Sequence, residues 1–293
     1  MERIPAVPLA VREKLVDYLY PIPDDVSEQE RKGIEDGRER VKADAGNRDC
    51  LMRVYLGKKE RRHTRKLQNV QISLRNLQCD ATMLLDLMGK EQVDKLNRML
   101  ARSLAAMNFQ AGCDAKDVEF VLGGLPTIGV FETETPGLTA EERQAEGNMF
   151  EIFDEKVCLW LLDFNQVNGR SNLTDPAATA KHLERCVEAY WGNDPYYPRP
   201  SQEQLWKPFR EEYLQAVARN DCLNDQTDAV RYINAVEAED GRRREERKAR
   251  ERQAREYHGC GLKDAKSTVI VKPRTSEDEE ATTPWKIWPN GRA

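Results

Sequence analysis

Residues 91–123 read EQVDKLNRMLARSLAAMNFQAGCDAKDVEFVLG. Val93, Leu96, Met99, Leu100, Leu104 and Met107 recur at three- and four-residue intervals, the spacing that gathers apolar side chains on one face of a helix. Residues 91–109 are therefore expected to form a core helix. Ala111-Gly112-Cys113 ends it, Asp114-Ala115-Lys116-Asp117 makes an acidic turn, and residues 118–122 read as a short strand broken by Gly123-Gly124-Leu125-Pro126. A helix feeding a strand through an acid-rich turn predicts a mixed α and β fold.

Downstream of a polar insertion at 132–147, residues 149–153 and 157–164 read as a strand pair. The second, VCLWLLDF, is continuously apolar until it closes on Asp163. Helical patterns follow at 176–191, 202–218 and 227–237, interrupted by the loop GNDPYYPRP at 192–200. At 241–256 the apolar residues fall to two alanines, a charged helix, and everything from Gly261 onward is expected to be disordered. Upstream, residues 5–20 predict a short amphipathic helix stopped by Pro21-Ile22-Pro23, and Asp24-Asp25-Val26-Ser27-Glu28 carries the chemistry of a helix start. Residues 50–56 and 69–77 alternate like strands, which predicts a hairpin whose tip holds Lys58, Lys59, Arg61, Arg62, Arg65 and Lys66.

With 46 Lys and Arg against 51 Asp and Glu, the net charge of −5 and the 33% charged residues favour an exposed, water-facing surface. The apolar runs are far shorter than a bilayer requires, so no membrane partner is expected, and the N-terminus lacks the pattern of a secretory signal, which makes the cytoplasm the expected location. The seven cysteines are widely separated with no Cys-x-x-Cys pair, so no metal is expected and reduced thiols are.

Carboxylates stand where chemistry can use them at Asp114, Asp117 and Glu119 and at Asp163. An acid closing a buried strand is costly unless a donor or a cation meets it. The pattern resembles the C-lobe of protein-kinase-like folds, in which a helix leads to a catalytic Asp, a metal-binding residue follows five positions on, and a second strand ends in Asp-Phe. Asp114, Glu119 and Asp163-Phe164 occupy those places, but Gly112 stands where that pattern has His, and no Gly-x-Gly-x-x-Gly loop occurs. The resemblance implies an α+β fold: a β-hairpin lobe at 1–78, a kinase-like helical lobe at 79–240, and a charged helix and tail at 241–293. It implies no working kinase, and leaves a kinase-like binding module, or an ATP-dependent small-molecule phosphotransferase, as alternatives.

A narrower resemblance lies in RIPAVPLAVREKLVDYLYP (3–21), DCLMRVYLGKKE (49–60), SLRNLQ (73–78), LARSLAAMNFQAGCDAKDVEFVLG (100–123), LWLLDFNQ (159–166), NDPYYPRP (193–200) and LWKPF (205–209). These blocks look like a fungal domain family often labelled zinc-finger-protein-like, which includes the arginine-containing cyclodipeptide synthases. That resemblance implies an enzyme of secondary metabolism that joins arginine, delivered as arginyl-tRNA, to a second aminoacyl-tRNA, with no cofactor. Longer relatives carry a further segment ahead of the Arg-Ile-Pro block. The family's activity is tied to an Asp-Asp-x-x-Glu motif; Asp24, Asp25 and Glu28 match it literally, while Asp114, Asp117 and Glu119 lie in the most recognisable block, and both clusters stay open as the site.

Ester-activated aminoacyl groups need no ATP, so a missing phosphate loop fits that chemistry. An anionic pocket suits the arginine guanidinium, a general base frees the attacking amine, and donors stabilise the developing oxyanion. Lys58, Lys59, Arg61, Arg62, Arg65 and Lys66, with Arg242, Arg243 and Arg244 in the charged helix, are the candidate contacts for tRNA phosphates, or else solvated surface. Trp191, Tyr196, Tyr197 and Trp206 bracket the Pro-rich loop and are expected to pack it over the core.

Overall fold

The computed structural model describes residues 3–58, 73–126, 148–169, 175–219 and 223–260. Residues 59–66 of the basic link, the insertion at 132–147 and the tail from Gly261 lie outside the described residues. Met1–Arg243 make one compact unit, and a second begins at Arg244.

The described residues form six α-helices and one five-stranded sheet. Helices α1 (Leu9–Leu19) and α2 (Glu28–Ala43) come first. At the start of α2 the Ser27 hydroxyl accepts from Glu30 N–H, and the Glu30 carboxylate accepts from Ser27 N–H, satisfying two groups that a helix end leaves open. Strands β1 (Met52–Tyr55) and β2 (Leu77–Asp80) precede helix α3 (Ala81–Ala105), which continues as a π-helical turn at Ala106–Gln110. Then come β3 (Glu119–Gly123), β4 (Met149–Ile152) and β5 (Glu155–Leu162). Helices α4 (Pro176–Gly192), α5 (Glu203–Ala218) and α6 (Leu223–Cys260) complete the described chain.

The core helix stands as expected, with Val93, Leu96, Leu100 and Leu104 buried. Each such side chain contributes about 1.5–3 kcal/mol by leaving water. The helix starts ten residues earlier than its apolar stripe suggests, because Asp80 caps Met83 N–H (3.0 Å) and an added segment runs to Gly89, whose φ of 76° kinks it. Helix α3 packs chiefly on α5, where Asn97 donates to Leu205 O (2.8 Å) and Arg102 pairs with Glu212 (2.7 Å).

The sheet runs β2-β1-β3-β5-β4. The expected hairpin at 50–77 is corrected: β1 and β2 are parallel, Met52 opposite Leu77 and Tyr55 opposite Asp80, a pairing that a hairpin does not give. Residues 69–72 of the alternating stretch lie outside the described residues; beyond them Leu74 N–H is held by the buried Asn47 amide (2.7 Å) and Asn76 takes a φ of 53°, and the ladder starts at Leu77. The α+β class holds, but one sheet draws its strands from both sides of residue 78. The pair β4–β5 is a two-residue hairpin turning at Phe153 and Asp154, both with positive φ. Among the described residues no helix is long and apolar enough to cross a membrane.

The loop after α4 docks on the end of β1: Leu56 N–H donates to Tyr196 O (3.2 Å) and Gly57 N–H to Pro195 O (2.8 Å). A Cβ on Gly57 would lie 2.2 Å from Tyr197 O and 3.2 Å from Pro195 O. Gly57→Ala is therefore expected to cost about 1–3 kcal/mol through forced backbone shifts, read as a lower melting temperature. An unchanged melting temperature would mean that this loop does not seat on β1.

Candidate functional site

Register builds the site at one end of the sheet. Arg53 opposes Val121 across β1 and β3, so Arg53 and Glu119, two residues from Val121, point to the same face. Glu119 opposes Leu162 across β3 and β5, which leaves Asp163 at the adjoining strand end. There the chain leaves β5 through a left-handed turn, with Asp163 φ at 65°. The docked loop adds Asp194 and Tyr196.

Arg53 sits among these acids. Its Nη2 lies 2.9 Å from Glu119 Oε1 and its Nη1 3.1 Å from Asp194 Oδ2. Tyr55 also donates its phenol to Asp194, and Gln166 donates its amide to Asp117. Burial lifts Glu119 above its ordinary value; Arg53 opposes the rise, while Asp163, Asp194 and Asp117 reinforce it. Two carboxylates thus hold one guanidinium, with Asp163 and Asp117 within electrostatic range of Glu119, and Asp163 makes no side-chain cap hydrogen bond and no ion pair among the described residues. Burial, then the bond to Asp194, pushes Tyr55 up to about 12.

Asp114 takes a different part. It is 2% exposed, and both oxygens are engaged: Oδ1 accepts from Asn168 N–H (2.9 Å) and Lys116 N–H (3.1 Å), Oδ2 from Asn168 Nδ2 (2.9 Å). Arg185 Nε stands 3.8 Å away. Together with Asp114 N–H donating to Asn168 O and the bridge between Cys113 and Gly169, this fastens the acidic turn to the segment after β5. Asn193, which caps α4, holds the same turn with both ends of its amide, accepting from Asp117 N–H and donating to Ala115 O, each at 2.9 Å. Ala115 and Asp117 both have positive φ, so the turn needs this support.

Of the anticipated acids, the fold brings Asp117 and Asp163 within electrostatic range of Glu119, while Asp114 fastens the turn to Asn168. Asp24, Asp25 and Glu28 are exposed at the start of α2. Lys58 donates to Gln78 (2.6 Å), and Lys59, Arg61, Arg62, Arg65 and Lys66 fall outside the described residues. Arg242 and Arg243 both bind Glu239, the former through two nitrogens, and Arg243 lies 4.8 Å over the Trp191 ring. Arg244 opens the second unit. Tyr196 and Tyr197 are buried, as loop packing requires. The Cys113 thiol is pushed up first by burial, and Asp114 adds to the rise, which leaves little reactive thiolate. Arg53, Asp194 and Asn193 carry no sequence signal of their own; the motif block NDPYYPRP contains the latter two, and only the register of β1 against β3 selects Arg53.

A family described as zinc finger protein matches residues 159–226, from the end of β5 to the start of α6. No curated protein and no solved structure matches the chain. The match includes Asp163, Asp194 and Tyr196 but neither Glu119 nor Arg53. The described residues do not fit zinc. His182 and Cys186 are buried in this stretch, with His182 Nε2 bonded to Asn108 O (3.0 Å), and among the described residues no three His, Cys, Asp or Glu side chains are placed to hold a metal ion.

Proposed function

We propose that this chain is an arginine-containing cyclodipeptide synthase of fungal secondary metabolism, acting in the cytoplasm on arginyl-tRNA and a second aminoacyl-tRNA. The observation that carries this reading is the acid-lined sheet end, where Glu119 and Asp194 hold the Arg53 guanidinium and Asp163 and Asp117 lie within electrostatic range of Glu119. A cluster that accommodates one guanidinium has the chemistry to receive a second from the substrate.

The reaction needs two aminolyses. In the first, the α-amine of one aminoacyl group attacks the ester carbonyl of the other: a C–N bond forms, the C–O bond to the tRNA ribose breaks, and the proton lost by the amine passes to the departing oxygen. Repeating this within the dipeptidyl-tRNA closes the ring and frees the second tRNA. Glu119 suits the base, since its raised proton affinity makes it a better proton acceptor than an ordinary carboxylate. Lys58, Lys59, Arg61, Arg62, Arg65, Lys66, Arg242, Arg243 and Arg244 are the proposed phosphate contacts, with Arg242 and Arg243 partly neutralised by Glu239.

Purified protein mixed with a full set of aminoacylated tRNAs is expected to release an arginine-containing cyclic dipeptide, detected by mass spectrometry and abolished by ribonuclease. Absence of any cyclic product would end this reading. One observation favours a second reading, a kinase-like binding module without catalysis: Asp114, at the place of the kinase catalytic acid, is engaged in holding Asn168. Stabilisation by nucleotide and Mg²⁺ without product would favour that module or a phosphotransferase.

A further inference from the structure

The same sheet end holds two hydrogen-bond donors with nothing to donate to among the described residues. Tyr196 is 1% exposed, and its hydroxyl has no partner. Arg53 Nε is likewise buried and unpartnered, although both of its Nη atoms are engaged. The Tyr196 ring packs edge-on against that of Tyr55, with centroids 5.2 Å apart, and the Tyr55 hydroxyl donates to Asp194; Glu119, Arg53 and Asp194 lie within electrostatic range of Tyr196. Tyr197 and Tyr232 also have hydroxyls unpartnered among the described residues, but those neighbour other tyrosines and Cys186 within the helical core. Tyr55 differs again, because it already donates to Asp194.

A buried donor without an acceptor is disfavoured, and phenylalanine fills the same space without one. An acceptor arriving with a ligand accounts for both donors at once. With Asp163 unpaired nearby among the described residues, the site complements a cation that also carries a carbonyl oxygen, not a bare cation. We propose that Tyr196 and Arg53 are catalytic residues that donate the phenol O–H and the Nε–H to the carbonyl oxygen of the bound aminoacyl ester. The identity of that ester rests on the cyclodipeptide reading. As the amine attacks and the C–N bond forms, the carbonyl π pair moves onto this oxygen, where the two donors stabilise it. The C=O bond re-forms as the ribose oxygen leaves, taking the proton that the amine gave to Glu119.

Two measurements test the assignment. Tyr196→Phe is expected to keep or raise the melting temperature, since it removes an unpaired hydroxyl, while kcat for cyclic product falls about 10²-fold and KM rises with the lost carbonyl contact. In calorimetry, wild-type protein is expected to bind argininamide at least about tenfold more tightly than agmatine, which lacks the carbonyl, and the variant, which keeps only the Arg53 donor, is expected to lose most of that preference. Equal affinities in wild type, or a variant with wild-type kcat, would overturn the donor assignment even if the cyclic product is made. Wild-type protein that binds neither compound and makes no product would overturn it together with the reading on which it rests.

Discussion

Glu119→Gln is expected to lower kcat for cyclodipeptide formation by about 10²–10⁴-fold, the usual worth of a positioned base, with the fold retained. Glu119 is the site carboxylate whose proton affinity the fold raises, through burial and then, against Arg53, through Asp163, Asp194 and Asp117. A base near neutral pH needs that rise. The same shift gives the sign of its effect on stability. Folding favours the protonated form, so the contribution of this group is complete below the ordinary value of 4.5 and is lost as pH climbs through the raised one. Once ionised the carboxylate is thus a liability to the fold, and glutamine removes it while keeping one oxygen for Arg53, which also retains Asp194. The melting temperature should hold while turnover collapses. In wild type the acid limb of the rate profile should lie above 4.5. Wild-type kcat in the variant, or an acid limb at an ordinary carboxylate value, would remove Glu119 from the chemistry.

The parts of this site that sequence makes legible are those within one short stretch. The apolar period of α3, the turn after it and the continuous run of β5 each fix a local conformation, and they locate Asp117, Glu119 and Asp163 without any knowledge of packing. Arg53 escapes such a reading because its role depends on which strand β1 pairs with and in which register, and both are decided by contacts distant in sequence. The parallel pairing of β1 with β2 escapes it for the same reason: the Asn47–Leu74 hydrogen bond that precedes β2 joins residues whose partnership no pattern encodes. Asp194 and Tyr196 lie in a recognisable block, yet their proximity to Glu119 follows from the docking of Leu56 and Gly57 on that loop. The continuity of α6 past residue 240 was partly visible, in Glu and Arg spaced three and four apart, as Glu239 with Arg242 and Arg243 illustrates.

Asp114→Asn should act on stability first and on turnover only through it. The change leaves shape intact but exchanges one acceptor oxygen for an NH₂ group. Placed on the Oδ1 side, that NH₂ meets the Asn168 and Lys116 N–H groups; on the Oδ2 side it meets Asn168 Nδ2, which also reaches Gln166 O (3.3 Å) and turns over only by giving up that bond. Arg185 loses its carboxylate in either case. Donors left facing donors beside a 2% exposed side chain should cost about 2–3 kcal/mol, and in a unit of this size that is a fall of about 4–12 °C in melting temperature. What loosens is the attachment of the acidic turn to the segment after β5, the contact that keeps Asp117 within reach of Gln166 and Asp163 near Glu119. Product formation should therefore fall in step with the unfolded fraction and return on cooling, unlike the temperature-independent loss expected for Glu119→Gln. A variant of unchanged melting temperature that makes no product at any temperature would show instead that Asp114 touches the substrate, and the division between a chemical Glu119 and a structural Asp114 would be wrong.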